Sequence, residues 1–259
     1  MAKNKTLADW GLRHISHSSL DLALNEMPAW VAQYLFKKRR PMGAAAVRGQ
    51  AVEIGVKIMH DGGEFDDPLT ESLAFYNKNT RLGIDGDTRE KEAGHIQPML
   101  EQYQKLHGID EWDGTIHSLP NTEASQRRIE LELPGIEIPL IGYTDFEFED
   151  SIVDLKTTTR MPSAISASHR RQGAIYQRAS GNRRMDFIYL TPKKAARYTL
   201  ENSEQEWAEV CTIARKLQNF LAAFETREAV ADVLMPNYGH PFYWKDPIFR
   251  EAGREIFGI

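Results

Sequence analysis

The sequence predicts one α/β domain: a central mixed β-sheet flanked by helices, with an N-terminal helical region. Two observations carry that prediction. Hydrophobic spacing is helical at first, alternates in the middle, then runs helix, strand and helix, an order that suits a sheet covered by helices. The 259 residues are 41% hydrophobic, enough to bury a sizeable core. One domain is expected over 1–259, with 1–120 mainly helical, 121–200 the sheet core, and 201–259 a closing helix and aromatic tail.

Each element has a local reason. Ser18-Ser19 precedes Leu20, Leu22, Leu24, Met27, Trp30, Val31 and Tyr34, a helical spacing after an N-cap that Pro28 breaks or restarts. Gly43 to Met59 predicts a helix with Val52, Val56 and Met59 on one side, and 61–67 reads as a loop. Leu69 to Tyr76 and Ala93 to Leu106 predict further helices. Arg128 to Leu133 alternates and Pro134-Gly135 turns the chain. Ile136 to Tyr143, Asp145 to Glu149 and Ser151 to Thr157 then complete a meander of three or four strands. A helix over 166–179, strands at Phe187 to Leu190 and Tyr198 to Leu200, and an amphipathic helix over 204–224 follow. The Pro236 to Ile259 tail carries no assignable pattern.

Composition excludes several classes. One cysteine, Cys211, rules out an intrachain disulfide framework and any cluster held by four cysteines of this chain. Its place in an amphipathic helix predicts a buried small hydrophobe. No apolar run approaches the roughly 20 residues of a membrane helix, and no hydrophobic signal region follows the N-terminal lysines. A soluble cytoplasmic protein without a membrane partner is therefore expected. The net charge of −5 conceals a local polarity. Glu130 to Asp154 holds eight acids and no base, whereas Lys156 to Arg197 holds ten bases and one acid, a local charge of +9. The sign changes at Leu155-Lys156.

That junction also carries the chemistry. Residues two apart on a strand share a face, so Asp154 and Lys156 project together while Leu155 points into the core. Asp145 lies nine residues before Asp154, room for a hairpin to bring both carboxylates and the ammonium to one point. Hard divalent cations bind one or two carboxylates plus phosphate oxygens, and a lysine beside them can orient or help deprotonate a water or stabilise charge on phosphorus. Taken alone, Asp-x-Lys is also an ordinary surface salt bridge between adjacent strands. Its company changes the weighting. Glu53 follows Gly49 by four residues on a predicted helix, and Gln172 and Tyr176 share a helix face that continues to His169.

Gly49-x-x-x-Glu53, Gly142-x-x-Asp145, Asp154-x-Lys156 and Gln172-x-x-x-Tyr176, in that order, resemble the RecB-like branch of the PD-(D/E)XK nuclease superfamily. Ser16-x-Ser18-Ser19-Leu20 and Met27-Pro28-x-x-Trp30 are similar to the entry segment of these nucleases. The resemblance implies a restriction-endonuclease-like core and a DNA exonuclease that hydrolyses phosphodiester bonds by metal-activated water. It implies that Glu53, Asp145 and Asp154, with the Leu155 carbonyl, hold one or two Mg²⁺ or Mn²⁺ ions and that Lys156 positions the water. Gln172 and Tyr176 would touch the DNA backbone. Many relatives have histidine where Glu53 stands. Many also bind an iron–sulfur cluster, but Met27 occupies the first cysteine place and no cysteine follows Cys211, so no iron–sulfur cluster is expected. Single-stranded DNA or duplex ends are the implied partners, with a single-strand-binding or annealing protein as a further one, in phage or bacterial replication, recombination or repair. A structure-specific or nicking endonuclease and a non-catalytic DNA-binding module stand as rivals.

Other residues carry two readings each. His169, Arg170, Arg171 and Lys193 are candidate DNA contacts in the basic segment. Lys37-Lys38-Arg39-Arg40 is either a solvated helix end or a channel lining. Trp112, Trp207 and Trp244 either stack bases or fill the core. His95 and His107 are expected not to ligate metal. The acid-rich stretch from Asp61 to Asp113 is expected to face away from DNA.

Overall fold

The computed structural model describes residues 5–61, 67–80, 82–109, 119–120 and 122–259, with side chains of 82–87 also outside the description. The helices are α1 (His17–Asn25), α2 (Met27–Tyr34), α3 (Ala44–Asp61), α4 (Pro68–Asn79), α5 (Leu82–Ala93) and α6 (Ile96–Leu106). The strands β1 (Ala124–Leu131), β2 (Leu140–Glu147) and β3 (Ser151–Thr157) follow, then α7 (Ala167–Ala179), β4 (Arg184–Leu190) and β5 (Ala195–Leu200). α8 (Glu204–Ala222), α9 (Arg227–Ala231) and α10 (Pro247–Phe257) close the chain. The fold is α/β, with a five-stranded mixed sheet of order β1-β2-β3-β4-β5 flanked by helices. β3 and β4 are paired parallel, through the crossover helix α7; β2–β3 and β4–β5 are antiparallel. Among the described residues, no helix is long and apolar enough to cross a membrane.

The chain divides into two compact units, each built from separate stretches of sequence. The first comprises 1–41, 128–142 and 202–259; the second comprises 42–127 and 143–201. In the first unit, Ser16 caps α1 and exchanges bonds with Ser19 in a capping box. Pro28 sits in the first turn of α2, where its missing N–H costs no bond, so it restarts the helix. The unassigned tail is a packed element. Trp244 is fully buried, stacks on Phe249 with centroids 5.0 Å apart, packs with Ala29 and Ala32, and donates to Glu26 Oε1 at 3.1 Å. That burial removes Trp244 from the candidates for base stacking. Arg40 lies over the Phe242 ring at 4.8 Å and donates to its carbonyl, which ties the end of the basic run to this tail. Cys211 is only half-buried, because α8 turns Val210, Ala214, Leu217 and Leu221 inward and leaves Cys211 at the edge of that stripe.

In the second unit, α3, α4 and α6 cover one face of the sheet. Val47, Val52, Val56, Met59, Met99 and Tyr103 join Phe146, Val153, Leu155, Ile188 and Leu190 in one core. At about 25 cal/mol per Å² of apolar surface, this burial is the main force holding α3 against β3. Several elements differ from expectation. Residues 140–147 form one strand where two runs are expected; Pro139, just before it, has no N–H for a ladder and accepts from Ile15 within the first unit. α5 is a helix the hydrophobic pattern does not announce, since 82–93 contains Gly83 and Gly86 and no apolar stripe. α9 and α10 are likewise additional to the expected elements. Most of the expected 61–67 loop and Trp112 lie outside the described residues.

Candidate functional site

The site grows from the centre of the sheet in the second unit. β3 alternates, so Val153 and Leu155 enter the core while Asp154 and Lys156 take the other face. Phe187 and Tyr189 of β4 stand beside Asp154 and Lys156 in the parallel register. Asp145 is the next β2 residue beyond the Phe146–Val153 pair, and its Oδ2 accepts the Leu155 N–H at 2.8 Å.

Asp154 is completely buried, and Lys156 Nζ lies 2.5 Å from its Oδ2. That oxygen nevertheless makes no hydrogen bond of ordinary geometry. Its other oxygen accepts from Gln172 Nε2 at 3.0 Å, and the same nitrogen lies 3.0 Å from the Tyr176 hydroxyl. Gln172 reaches inward because Gly173 lets α7 lie close to the sheet: a Cβ there would come within 2.8 Å of Leu200 and 2.9 Å of Phe187. Glu53 approaches from α3 and accepts from Gln126 Nε2 of β1.

Burial raises the pKa of all three carboxylates, and carboxylate neighbours add to the rise at Asp145 and Glu53. Burial pushes Asp145 well above the usual range, and Asp154 and Glu53 push it further. Burial also raises Glu53, with Asp154 adding to it and the Gln126 bond opposing. For Asp154, burial outweighs the neighbouring Lys156 ammonium, and its pKa is raised too. Burial works against Lys156 protonation, but Asp154, Asp145 and Glu53 more than offset it, so Lys156 stays a cation.

Hard oxygen donors that repel one another fit a divalent cation chemically. Among the described residues, no three His, Cys, Asp or Glu side chains form a group that could hold a metal ion.

The remaining expected residues spread outward. Tyr176 is 5% exposed and serves Gln172 rather than facing solvent. His169 stacks on Phe187 and shares a 2.7 Å hydrogen bond with the Tyr189 hydroxyl. Arg170 and Arg171 are half-buried on α7, and Lys193 is exposed after β4. His95 lies beside Glu92 at 3.6 Å, and His107 packs against Tyr103 and His60.

Sequence reasoning passes over three residues here. Arg48, 3% exposed, pairs with Glu92 and donates to the Thr157 carbonyl and hydroxyl, each at 3.3 Å, pinning α3 to the end of β3. A Cβ on Gly49 would lie 3.1 Å from the same hydroxyl, so the glycine permits that approach. Arg48 precedes the Gly49 motif and was open to notice; Gln126 and Tyr189 carry no local signal.

No protein-family model and no curated protein matches the chain. A solved structure described as "Crystal structure of SSO0001" is similar to it at 14% identity with a TM-score of 0.34, covering 83% of this chain and 88% of that one.

Proposed function

We propose that the protein is a metal-dependent DNA exonuclease with a PD-(D/E)XK core. The observation that carries the reading is the buried Asp154–Lys156 pair, joined electrostatically by Asp145 and Glu53 and bonded from α7 by Gln172. Mg²⁺ or Mn²⁺ held by Glu53, Asp145, Asp154 and the Leu155 carbonyl would supply Lewis-acid polarisation of the phosphate and a more acidic water. Lys156, kept cationic by its carboxylate neighbours, orients that water and stabilises charge developing on phosphorus; it is a poor proton acceptor in this setting. Gln172 holds the Asp154 carboxylate in one plane, and Tyr176 holds Gln172. His169, Arg170, Arg171 and Lys193 supply charge and hydrogen bonds to the DNA backbone. The DNA is a single strand or a duplex end, handled with a single-strand-binding or annealing partner in a phage-infected or bacterial cytoplasm.

Digestion of end-labelled single-stranded and duplex DNA with Mg²⁺, Mn²⁺ or EDTA tests the reading. Cation-dependent release of short products, lost in Lys156→Ala, is expected. Wild-type cleavage by a correctly folded Lys156→Ala protein would sink it. Cleavage of a covalently closed single-stranded circle would replace the exonuclease with an endonuclease of the same fold.

A further inference from the structure

Gln126 is an exposed residue in β1, and its backbone is left-handed, with φ of 53°. An L-residue adopts that conformation at a cost, and inside a strand it re-aims the side chain out of the regular alternation. Here the re-aimed amide donates to Glu53 Oε1, across 73 positions of sequence. An exposed side chain contributes little to core packing, so burial does not account for the strained backbone. The next residue anchors it. Arg127 Nε donates to Glu147 Oε1 at 2.7 Å, the Arg127 carbonyl accepts from Thr144 at 3.4 Å, and Arg183 holds the other Glu147 oxygen at 2.6 Å. The backbone on the C-terminal side of Gln126 is thereby clamped to the sheet while its side chain reaches Glu53.

We propose that Gln126 is a positioning residue for cation binding: its amide fixes the Glu53 carboxylate through Oε1 and assigns the ligand role to Oε2. The inference rests on the metal-dependent reading above and adds a residue to it. Glu53 sits on a helix, with three side-chain torsions between the backbone and its carboxylate. Without a bond to one oxygen, both torsion and plane are unfixed, and a cation must order them on binding. Partners of metal ligands commonly account for 10–100-fold in affinity.

The test uses the full chain and Mn²⁺ alone, titrated calorimetrically, beside thermal unfolding. Gln126→Gly removes the amide and relieves the left-handed strain. It is expected to weaken Mn²⁺ binding about tenfold or more while leaving the Tm unchanged or higher. A side chain with a merely structural role would not separate those two readouts. Gln126→Ala also removes the amide and should weaken binding similarly, carrying the test if the glycine variant misfolds. If both variants bind Mn²⁺ as the wild type does while Glu53→Gln binds weakly, Gln126 has no such role and the metal-dependent reading stands. If the wild type itself binds no Mn²⁺ and cleaves no DNA, that reading falls and the role of Gln126 falls with it.

Discussion

Asp145 accepts the backbone N–H of Leu155 through Oδ2 at 2.8 Å, fastening β2 to β3 between the two residues, Asp154 and Lys156, that carry the proposed chemistry. An asparagine can keep that bond through its carbonyl oxygen while shedding the charge that burial and the neighbouring Asp154 and Glu53 disfavour. Asp145→Asn is therefore expected to raise metal-free stability, by about 1 kcal/mol, while abolishing cleavage. Urea unfolding in EDTA together with a nuclease assay checks both halves. A destabilised variant would mean that the carboxylates do not repel as the geometry implies.

Lys156 is paired with a carboxylate that has no exposed surface. Lys156→Ala leaves that charge buried and unpaired, and should lower stability by about 3 kcal/mol as well as eliminate activity. Replacing both members, as Asp154→Asn with Lys156→Met, should recover much of the stability and none of the activity. Denaturant midpoints of the single and double variants measure the coupling.

Tyr176 is expected to act through Gln172. Tyr176→Phe keeps the buried ring and removes the hydroxyl 3.0 Å from Gln172. It should lower kcat by about tenfold with little change in KM for DNA. A raised KM at unchanged kcat would instead show that the hydroxyl binds DNA directly.

Acid stability has a separate source at the far end of α6. Burial, with His60 and Arg197 nearby, lowers the His107 pKa from 6.5 to about 4. Above pH 6.5 the ring is neutral in both folded and unfolded chains and contributes no pH dependence. Between pH 6.5 and about 4 the unfolded chain takes up a proton that the folded one refuses, so stability falls as pH falls through that window. His107→Gln should flatten this part of the stability profile, measured as Tm from pH 7 to 4. An unchanged slope would assign the acid sensitivity to other groups.

Much was legible in one dimension. The strand at Ser151 to Thr157, the helix carrying Gln172 and Tyr176, and the helix carrying Glu53 all follow from spacing, because a half-buried strand or helix must repeat its apolar residues at its own period. The same alternation places Asp154 and Lys156 on one face. What spacing did not reveal are partners far apart in sequence: Arg48 with Thr157, Gln126 with Glu53, His169 with Tyr189. Nor did it reveal α5, whose sequence lacks an apolar stripe, or the Trp244 cluster, whose aromatic residues follow no single period.

The sequence by itself determined which residues bear the charge and which elements carry them, and it located the reversal from acidic to basic at Leu155-Lys156. Only the tertiary structure decided how those charges are held: Asp154 buried against Lys156, Tyr176 turned inward to Gln172, and Glu53 of α3 bound by an amide from β1. Local periodicity is set by the backbone and can be read from neighbours, whereas burial and hydrogen-bond partnership arise only when distant segments pack.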